Sequence, residues 1–179
     1  MKQRLLLVID EMEVGGTQRQ MVHLVRGLDR SRFEVEVSYF RYSSFLVDEL
    51  KSLGVRVHEV PKHGALDIGF VAALRRLMAR GRFDLVHAFS FTSELWSAVV
   101  IATLWPLRGS GRSDRSGRPA LVSSIRGTYE WYTQRQWQLK RWVTRRSAAV
   151  ISNSKTGAQY AAKQMAVDEK AISVVYNGL

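Results

Sequence analysis

Stretches with the pattern of buried strands alternate with stretches that have the periodicity of amphipathic helices, and this alternation constrains the fold more than any other feature. The first stretch, RLLLVID (residues 4–10), is a continuous apolar run, as expected of a parallel strand that is buried on both faces. The next, TQRQMVHLVRGL (17–28), places its apolar side chains on one helical stripe. Further strands are predicted at 33–40, 55–60, 83–89, 120–127, 148–154 and 172–179, and further helices at 44–54, 68–80, 93–105, 131–146 and 155–165. Asp67 is the predicted cap of the helix at 68–80. Strands that alternate with helices of roughly 10 to 15 residues form βαβ units. The sequence therefore predicts a doubly wound, Rossmann-like α/β fold, with a parallel sheet of about seven strands and helices on both faces.

The length predicts a single domain over residues 1–179, since a chain of 179 residues has room for one substantial core. Within it, PLRGSGRSDRSGRP (106–119) is dense in Gly, Ser and Arg and lacks apolar anchors, which predicts a mobile surface loop. The absence of cysteine excludes a disulfide framework and a thiolate metal site. The four histidines are scattered without a ligand spacing, so we expect no metal site. We also expect no cofactor.

Hydropathy and charge indicate where the chain is located and which classes of partner it attracts. The apolar run LWSAVVIATLWPL (95–107) is shorter than the about 20 residues that span a bilayer, and the start MKQRLLLVID lacks a small-residue cleavage site. We therefore expect a cytoplasmic location. The net charge of +11 and the pI near 10.4 attract nucleic acid, anionic lipid and phosphorylated substrates alike, so they define a class of partners without identifying one.

The turns that follow the strands are where a ligand is expected, because a doubly wound sheet binds ligands outside the carboxyl ends of its strands. In the first of these turns, Gly15 and Gly16 would let an anion approach the amides at the start of the next helix, which favours a phosphate or diphosphate. The alternative is a tight turn in which the glycines merely permit a positive φ. The spacing fits neither a P-loop nor G-x-G-x-x-G, so nicotinamide and flavin chemistry lose their main support.

Taken in order, these turns resemble the amino-terminal domain of family 4 glycosyltransferases, retaining enzymes with the two-domain GT-B fold. The motifs that carry the resemblance extend over nearly the whole chain: VGGTQRQMVHLVRGL (14–28), FDLVHAFS (83–90), AAVISNS (148–154) and ISVVYNGL (172–179). The resemblance implies metal-independent transfer of a sugar from a nucleotide-sugar donor to a glycan or lipid-linked acceptor in cell-envelope polysaccharide synthesis. It also implies that Gly15, Gly16 and Thr17 form a loop that reaches the donor diphosphate.

The resemblance further implies a second, carboxy-terminal domain that binds most of the nucleotide sugar. This sequence ends at YNGL, where members of the family continue into that domain. We therefore expect the 179 residues to be the acceptor-side half, inactive in sugar transfer by itself.

The end of the fourth predicted strand departs from the family pattern. Many members have H-x-H where this sequence has His87, Ala88 and Phe89, and a phenyl ring cannot donate a hydrogen bond to a sugar. His87 or Ser90 is the candidate replacement, and the catalytic residues are otherwise unknown. Strand alternation places His87 and Phe89 on one face. The alternative role for His87 is a structural one.

Arg126 ends the fifth predicted strand and precedes Gly127 at the ligand edge. A guanidinium there can bind a phosphate in bidentate fashion, so Arg126 and Tyr129 are the predicted contacts to the acceptor or to a phosphate. The alternative is an ion pair between Arg126 and a core-edge carboxylate such as Glu130.

The basic helix predicted at 131–146 is expected to face the core with the stripe Trp131, Tyr132, Leu139, Trp142 and Val143. Trp137 then lies on the opposite side, among cations. This pattern predicts peripheral docking on the inner face of an anionic membrane, through Trp137, Lys140, Arg141 and Arg145. A solvated basic face is the alternative.

Two rival functions remain open at this stage. The charge suggests a nucleic-acid-binding α/β module, although no nucleic-acid motif is present, so nucleic acid is not the expected partner. A sugar epimerase of GT-B architecture is the other, but the carboxylates that it would need are not evident in the sequence.

Overall fold

The computed structural model describes residues 2–105 and 117–178, in which helices cover both faces of one sheet. Its strands are β1 Gln3–Glu11, β2 Phe33–Arg41, β3 Arg56–Glu59, β4 Leu85–Ala88, β5 Ala120–Ile125, β6 Ala149–Ser152 and β7 Ile172–Val174. Its helices are α1 Gly16–Gly27, α2 Phe45–Ser52, α3 Ile68–Gly81, α4 Phe91–Leu104, α5 Gln134–Thr144 and α6 Lys155–Met165, with a 3₁₀ turn at Glu169–Ala171.

All neighbouring strands in the sheet are parallel, in the order β3-β2-β1-β4-β5-β6-β7. The chain moves outward from β1 to β3 and then returns to the other side of β1 with β4. The strand order therefore reverses between β1 and β4, and the crevice at their carboxyl ends is where such a sheet binds ligands. The predicted doubly wound, Rossmann-like fold is confirmed.

Side chains of β1 alternate between two helical layers, which explains why its sequence is apolar throughout. Leu5, Leu7 and Ile9 pack with α1 and α2, whereas Leu6 and Val8 pack with α3 and α4. Burying a side chain of this kind contributes about 1.5 to 3 kcal/mol relative to leaving it exposed. A third cluster packs β5, β6 and β7 against α5 and α6.

Local signals set most of the helix ends. The Asp67 side chain caps α3 by accepting from the amide of Phe70 at 2.9 Å, as predicted, and Gly54 has a φ of +73° directly after α2. Helix α5 begins at residue 134 rather than at the predicted 131, because Thr133 and Gln136 cap each other's backbone there.

The predicted mobile loop at 106–119 lies outside the described residues except for its last three positions. Over the described ranges, no helix has both the length and the apolar character that crossing a membrane requires.

Candidate functional site

The carboxyl ends of β1 and β4 are joined by hydrogen bonds at the point where the strand order reverses. The amide of Phe89 donates to the carbonyl of Val8 at 3.0 Å, and the amide of Asp10 donates to Oγ of Ser90 at 3.3 Å. Ser90 also begins α4, where its amide donates to Oγ of Ser93 at 3.0 Å. Ser90 therefore lies at the predicted crevice with its hydroxyl already hydrogen-bonded, and its catalytic role stays a prediction.

Gly15 and Gly16 form the turn from β1 into α1 without any unusual backbone. Gly15 has a φ of −149°, which any residue adopts, and the described glycines with positive φ are Gly54 and Gly117. The alternative that this pair serves a positive-φ turn is therefore wrong. A Cβ built on Gly16 would meet nothing within 4 Å, so packing within the described residues does not explain the missing side chain.

The amino terminus of α1 has two features of an anion site, and the carboxylates of Asp10, Glu11 and Glu13 lie just before it. No side chain caps it, and its first turn carries no acidic residue. The first amides of a helix have no partner inside the helix, and the helix dipole is positive there. Thr17, in the same turn, is half-buried. The predicted diphosphate loop is thus open and unblocked in the described structure.

His87 and Phe89 share one face of β4, as predicted, and their rings stack with centroids 4.2 Å apart. Nε2 of His87 lies 2.8 Å from Oγ of Ser124 on β5. Burial, with a smaller contribution from the charge of Arg126, lowers the pKa of His87 to about 4. The imidazole is therefore neutral near pH 7, which fits a hydrogen-bonded structural role; a catalytic role for it stays a prediction.

Arg126 follows β5 and extends toward the end of β4, with its guanidinium carbon 5.9 Å from the centre of the Phe89 ring. Its Nε is buried and finds no hydrogen-bond acceptor among the described residues. Burial lowers the pKa of Arg126, although an arginine stays charged at any physiological pH. The alternative pairing with Glu130 is not formed: the described carboxylates leave Arg126 without an ion pair.

Tyr129 supports the loop that carries Arg126. Its hydroxyl oxygen accepts from the amide of Arg126 at 2.8 Å, and its ring stacks on Tyr132 at 4.7 Å. Tyr129 has a φ of +50°, a left-handed conformation that the aromatic packing and this hydrogen bond hold in place. Burial raises the pKa of Tyr129 to about 12, so the phenol keeps its proton and can still donate to a ligand.

A buried ion pair beneath this edge was missed by the sequence analysis. The Lys140 ammonium of α5 contacts the carboxylate of Glu94 on α4, and both side chains are almost completely buried. Glu94 also accepts from the amide of Ser124 at 2.8 Å, and Lys140 donates to the carbonyl of Ser124 at 3.0 Å. Burial raises the pKa of Glu94, and the Lys140 charge opposes that shift. The pair fixes Ser124, whose hydroxyl in turn contacts His87.

Two of the four predicted membrane contacts are wrong. Trp137 is 3% exposed and packs against Tyr132 and Tyr160, and Lys140 is 1% exposed. The stripe of α5 that faces the core consists of Trp137, Lys140, Val143 and Thr144. The predicted core residues Trp131 and Leu139 are exposed instead. The pattern misled because Glu94 neutralises a lysine that therefore occupies a core position. For Arg141 and Arg145 the membrane role stays a prediction.

Metal binding points to no competing site in the described chain. The described His, Asp and Glu side chains form no group of three that could hold a metal ion. A cavity of about 890 Å³ lies at the opposite, amino-terminal edge of the sheet, between Trp105 and Gly117, which flank the segment outside the described ranges. The carboxyl edge therefore remains the candidate site.

Comparisons with known proteins bear on the family and on the fold. The family model described as Glycosyltransferase Family 4 matches residues 14–179. A search of curated protein sequences gave no significant match.

Several solved structures share the fold at low sequence identity. Alr3699/HepE of Anabaena, solved in complex with UDP, is 17% identical with a TM-score of 0.76, over 100% of this chain and 44% of that one. A glycosyltransferase from Rickettsia africae ESF-5 is 16% identical with a TM-score of 0.74, over 100% and 44%. The lipopolysaccharide outer core galactosyltransferase WaaB is 13% identical with a TM-score of 0.69, over 99% and 46%. The chain thus spans less than half the length of each of these proteins.

Proposed function

Because the chain belongs to glycosyltransferase family 4, we propose that it forms the acceptor-side half of an enzyme that transfers a sugar from a nucleotide-sugar donor. Members of this family use nucleotide-sugar donors and generally retain the configuration of the transferred sugar. The proposed acceptor is a glycan or lipid-linked molecule of cell-envelope polysaccharide synthesis. Most of the donor would bind to a second domain, so the 179 residues alone would not transfer sugar.

The observation that carries the proposal is a pair of cationic features at the carboxyl edge of the sheet. One is the uncapped start of α1 with open space above Gly16. The other is Arg126, with a buried Nε that has no partner among the described residues. In a retaining transfer, negative charge grows on the departing diphosphate, and preorganised donors aimed at that charge lower the barrier. Gly15 and Gly16 would approach the donor diphosphate, and Arg126 a phosphate of the acceptor.

Membership of the family favours a transferase over the epimerase and over the nucleic-acid module. HepE of Anabaena was solved with UDP and with UDP and glucose, which supports a uridine nucleotide as the first donor probe to test. At 17% identity the similarity to HepE shows a shared fold, so the nucleotide that this chain binds is decided by the titration.

The test is a titration of the ¹⁵N-labelled chain, followed by amide chemical shifts, with two probes in turn. UDP tests the donor loop and should shift the amides of Gly15, Gly16 and Thr17. Farnesyl diphosphate, a soluble lipid diphosphate, tests the acceptor side and should shift Arg126 and its neighbours. Arg126→Gln should weaken the farnesyl diphosphate response by about tenfold, since a hydrogen bond to a charged group contributes about 1.5 to 3 kcal/mol.

Lys163→Gln is the matched control, because it removes one exposed charge from the last turn of α6, which lies at the opposite, amino-terminal edge of the sheet. Equal weakening by both variants would show that general charge attraction explains the binding and would contradict the proposed site. Shifts restricted to other surfaces with both probes would contradict it as well.

A further inference from the structure

A second cationic cavity lies on the α3 side of the sheet, at the amino-terminal half of β1 and therefore away from Gly15. It has a volume of about 650 Å³ and is lined by side chains of β1, β2 and β3 and by the second half of α3. Four of the lining residues are arginines: Arg4, Arg56, Arg76 and Arg80. Nothing in the proposed transferase site uses them.

The strand residues of this cavity already neutralise its one buried carboxylate. Glu36, whose side chain is 5% exposed, lies 2.7 Å from Arg4, 2.5 Å from Nε2 of His58 and 3.7 Å from Arg56. Nε of Arg4 is buried and finds no partner among the described residues. Two further carboxylates lie close by: Glu34, 3.7 Å from Arg4, and Glu59, which also lines the cavity.

Helix α3 then adds two more charges with no compensation. Arg76 and Arg80 are four residues apart, on the same face of the helix, and both are exposed. Neither forms an ion pair with a carboxylate of the described residues. Like charges at this spacing oppose each other. The lining therefore holds four arginines against two carboxylates, Glu36 and Glu59, and an excess of positive charge remains in this concave surface.

We propose that this cavity is a binding site for a phosphate or diphosphate group, separate from the transferase site and independent of the proposed function. Guanidinium groups match the oxygens of a phosphate in a planar, bidentate way, and several of them around one cavity hold such a group from different sides. The walls are partly apolar, through Val57, Ala73 and Leu77, so the anion can carry a larger body. The same chemistry is offered by a free diphosphate and by a phospholipid headgroup.

The test uses sodium pyrophosphate as the probe, at constant ionic strength, with amide chemical shifts of the ¹⁵N-labelled chain as the readout. Binding at the cavity should shift residues 56–60 and 73–81. The double variant R76A/R80A should bind pyrophosphate at this site at least about tenfold more weakly, because it removes two charged donors. Alanine is favourable in helices, so the fold should be kept, which the melting temperature checks.

The matched control is R75A/K163A, which removes two positive charges from exposed positions on α3 and α6 that do not line the cavity. Its affinity should change less than about twofold, since it removes no donor from the cavity. Equal weakening in both double variants, or no pyrophosphate shift at 56–60 and 73–81, would overturn the proposal.

Flotation with phosphatidylcholine vesicles, with and without phosphatidic acid, identifies the source of the phosphate. Binding to the acidic vesicles that R76A/R80A loses and R75A/K163A keeps would assign a lipid headgroup, and pyrophosphate binding without vesicle binding would assign a free phosphate. Binding of a single-stranded oligonucleotide without any response to pyrophosphate would overturn the proposal in favour of nucleic acid. Shifts at Gly15 and Gly16 report on the transferase site separately, so either proposal can fail alone.

Discussion

The buried Lys140–Glu94 pair gives a prediction whose size and pH dependence both follow from its geometry. Lys140→Met keeps the length and apolar stem of the side chain but leaves Glu94 buried without its cation. Burial already raises the pKa of Glu94, and Lys140 opposes that shift, so the variant raises this pKa further. We expect the folded variant to hold Glu94 in its protonated form at pH 7.

The cost follows from the difference in protonation between the two states. In the unfolded chain a glutamate has a pKa of about 4.3, so it is ionised at pH 7, and folding of the variant must protonate it at a pH that lies nearly three units above this pKa. At about 1.36 kcal/mol for each unit, the variant should lose about 3 to 4 kcal/mol at pH 7, close to the cost of breaking other buried ion pairs. A raised folded pKa contributes stability only at low pH and loses it as the pH rises. The loss should therefore shrink to about 1 kcal/mol at pH 5.

The measurement is urea unfolding of both proteins at pH 5 and pH 7. The double variant E94Q/K140M is the control, because an amide oxygen in place of the carboxylate can still accept from the amide of Ser124 but the side chain cannot titrate. Its loss of stability should be nearly the same at both pH values. If K140M lost less than about 1 kcal/mol at pH 7, or lost the same amount at both pH values, the assignment of a buried, charge-dependent pair would be refuted.

Three further predictions concern packing and titration. Gly81→Ala would place a methyl group closer to the ring of Phe83 than van der Waals contact allows, so it should lower the free energy of unfolding in urea by about 1 to 3 kcal/mol. Gly27→Ala, which has open space around the new methyl group, should be neutral or raise that free energy by up to about 1 kcal/mol. Equal effects of the two variants would contradict the packing of Gly81 against Phe83. Trp137→Ala should lower the free energy of unfolding by about 3 to 5 kcal/mol, and Trp131→Ala by less than about 1 kcal/mol. An equally small loss for Trp137→Ala would contradict the burial of Trp137 and favour the surface position predicted from the sequence. In an NMR titration the ring of His87 should gain its second proton near pH 4. Because this folded pKa lies below the unfolded value of about 6.5, the contribution of His87 to stability is complete above pH 6.5 and falls between pH 6.5 and pH 4. A titration near pH 6.5 would show that the ring is not buried.

The sheet was predictable because its signals are local and repeated. Apolar runs such as 4–10 recur between amphipathic segments, and the connection rules for parallel strands leave few arrangements of such units. Single-residue signals also held: Asp67 caps α3, and His87 and Phe89 share a face of β4. Each of these depends on neighbours within a few positions along the chain.

The basic helix was not predictable because its pattern depends on a partner far along the sequence. Glu94 lies 46 positions from Lys140, and without it a lysine on the core face would be excluded. A prediction that assigns Lys140 to the surface also assigns the wrong face of the helix to the core, and it therefore places Trp137 on the surface. The hydrogen bond that Glu94 accepts from the amide of Ser124 was not predictable for the same reason, because these two residues are also far apart in the sequence.

Gly15 and Gly16 show a different limit. From the sequence, a positive-φ turn and a ligand approach predict the same residues, so only the backbone conformation separates them. The structure removes the first explanation, because neither glycine has a positive φ. What occupies the space above Gly16 is a question of binding, which the titration with UDP addresses.

A series of contacts at the carboxyl edge of the sheet connects the buried pair to Arg126. Lys140 and Glu94 hold the backbone of Ser124, and the Ser124 hydroxyl contacts His87. The His87 ring in turn stacks on the phenyl ring that lies beneath the guanidinium of Arg126. To the extent that packing on Phe89 limits the motion of the Arg126 side chain, the cation loses less conformational entropy when it meets an anion, and more of its attraction remains as affinity. It also needs little reorganisation as charge develops in a transition state, which is the condition under which a fixed charge lowers a barrier most. The buried pair that sequence analysis missed is therefore connected, through a continuous chain of contacts, to the residue that the sequence marked as the phosphate contact.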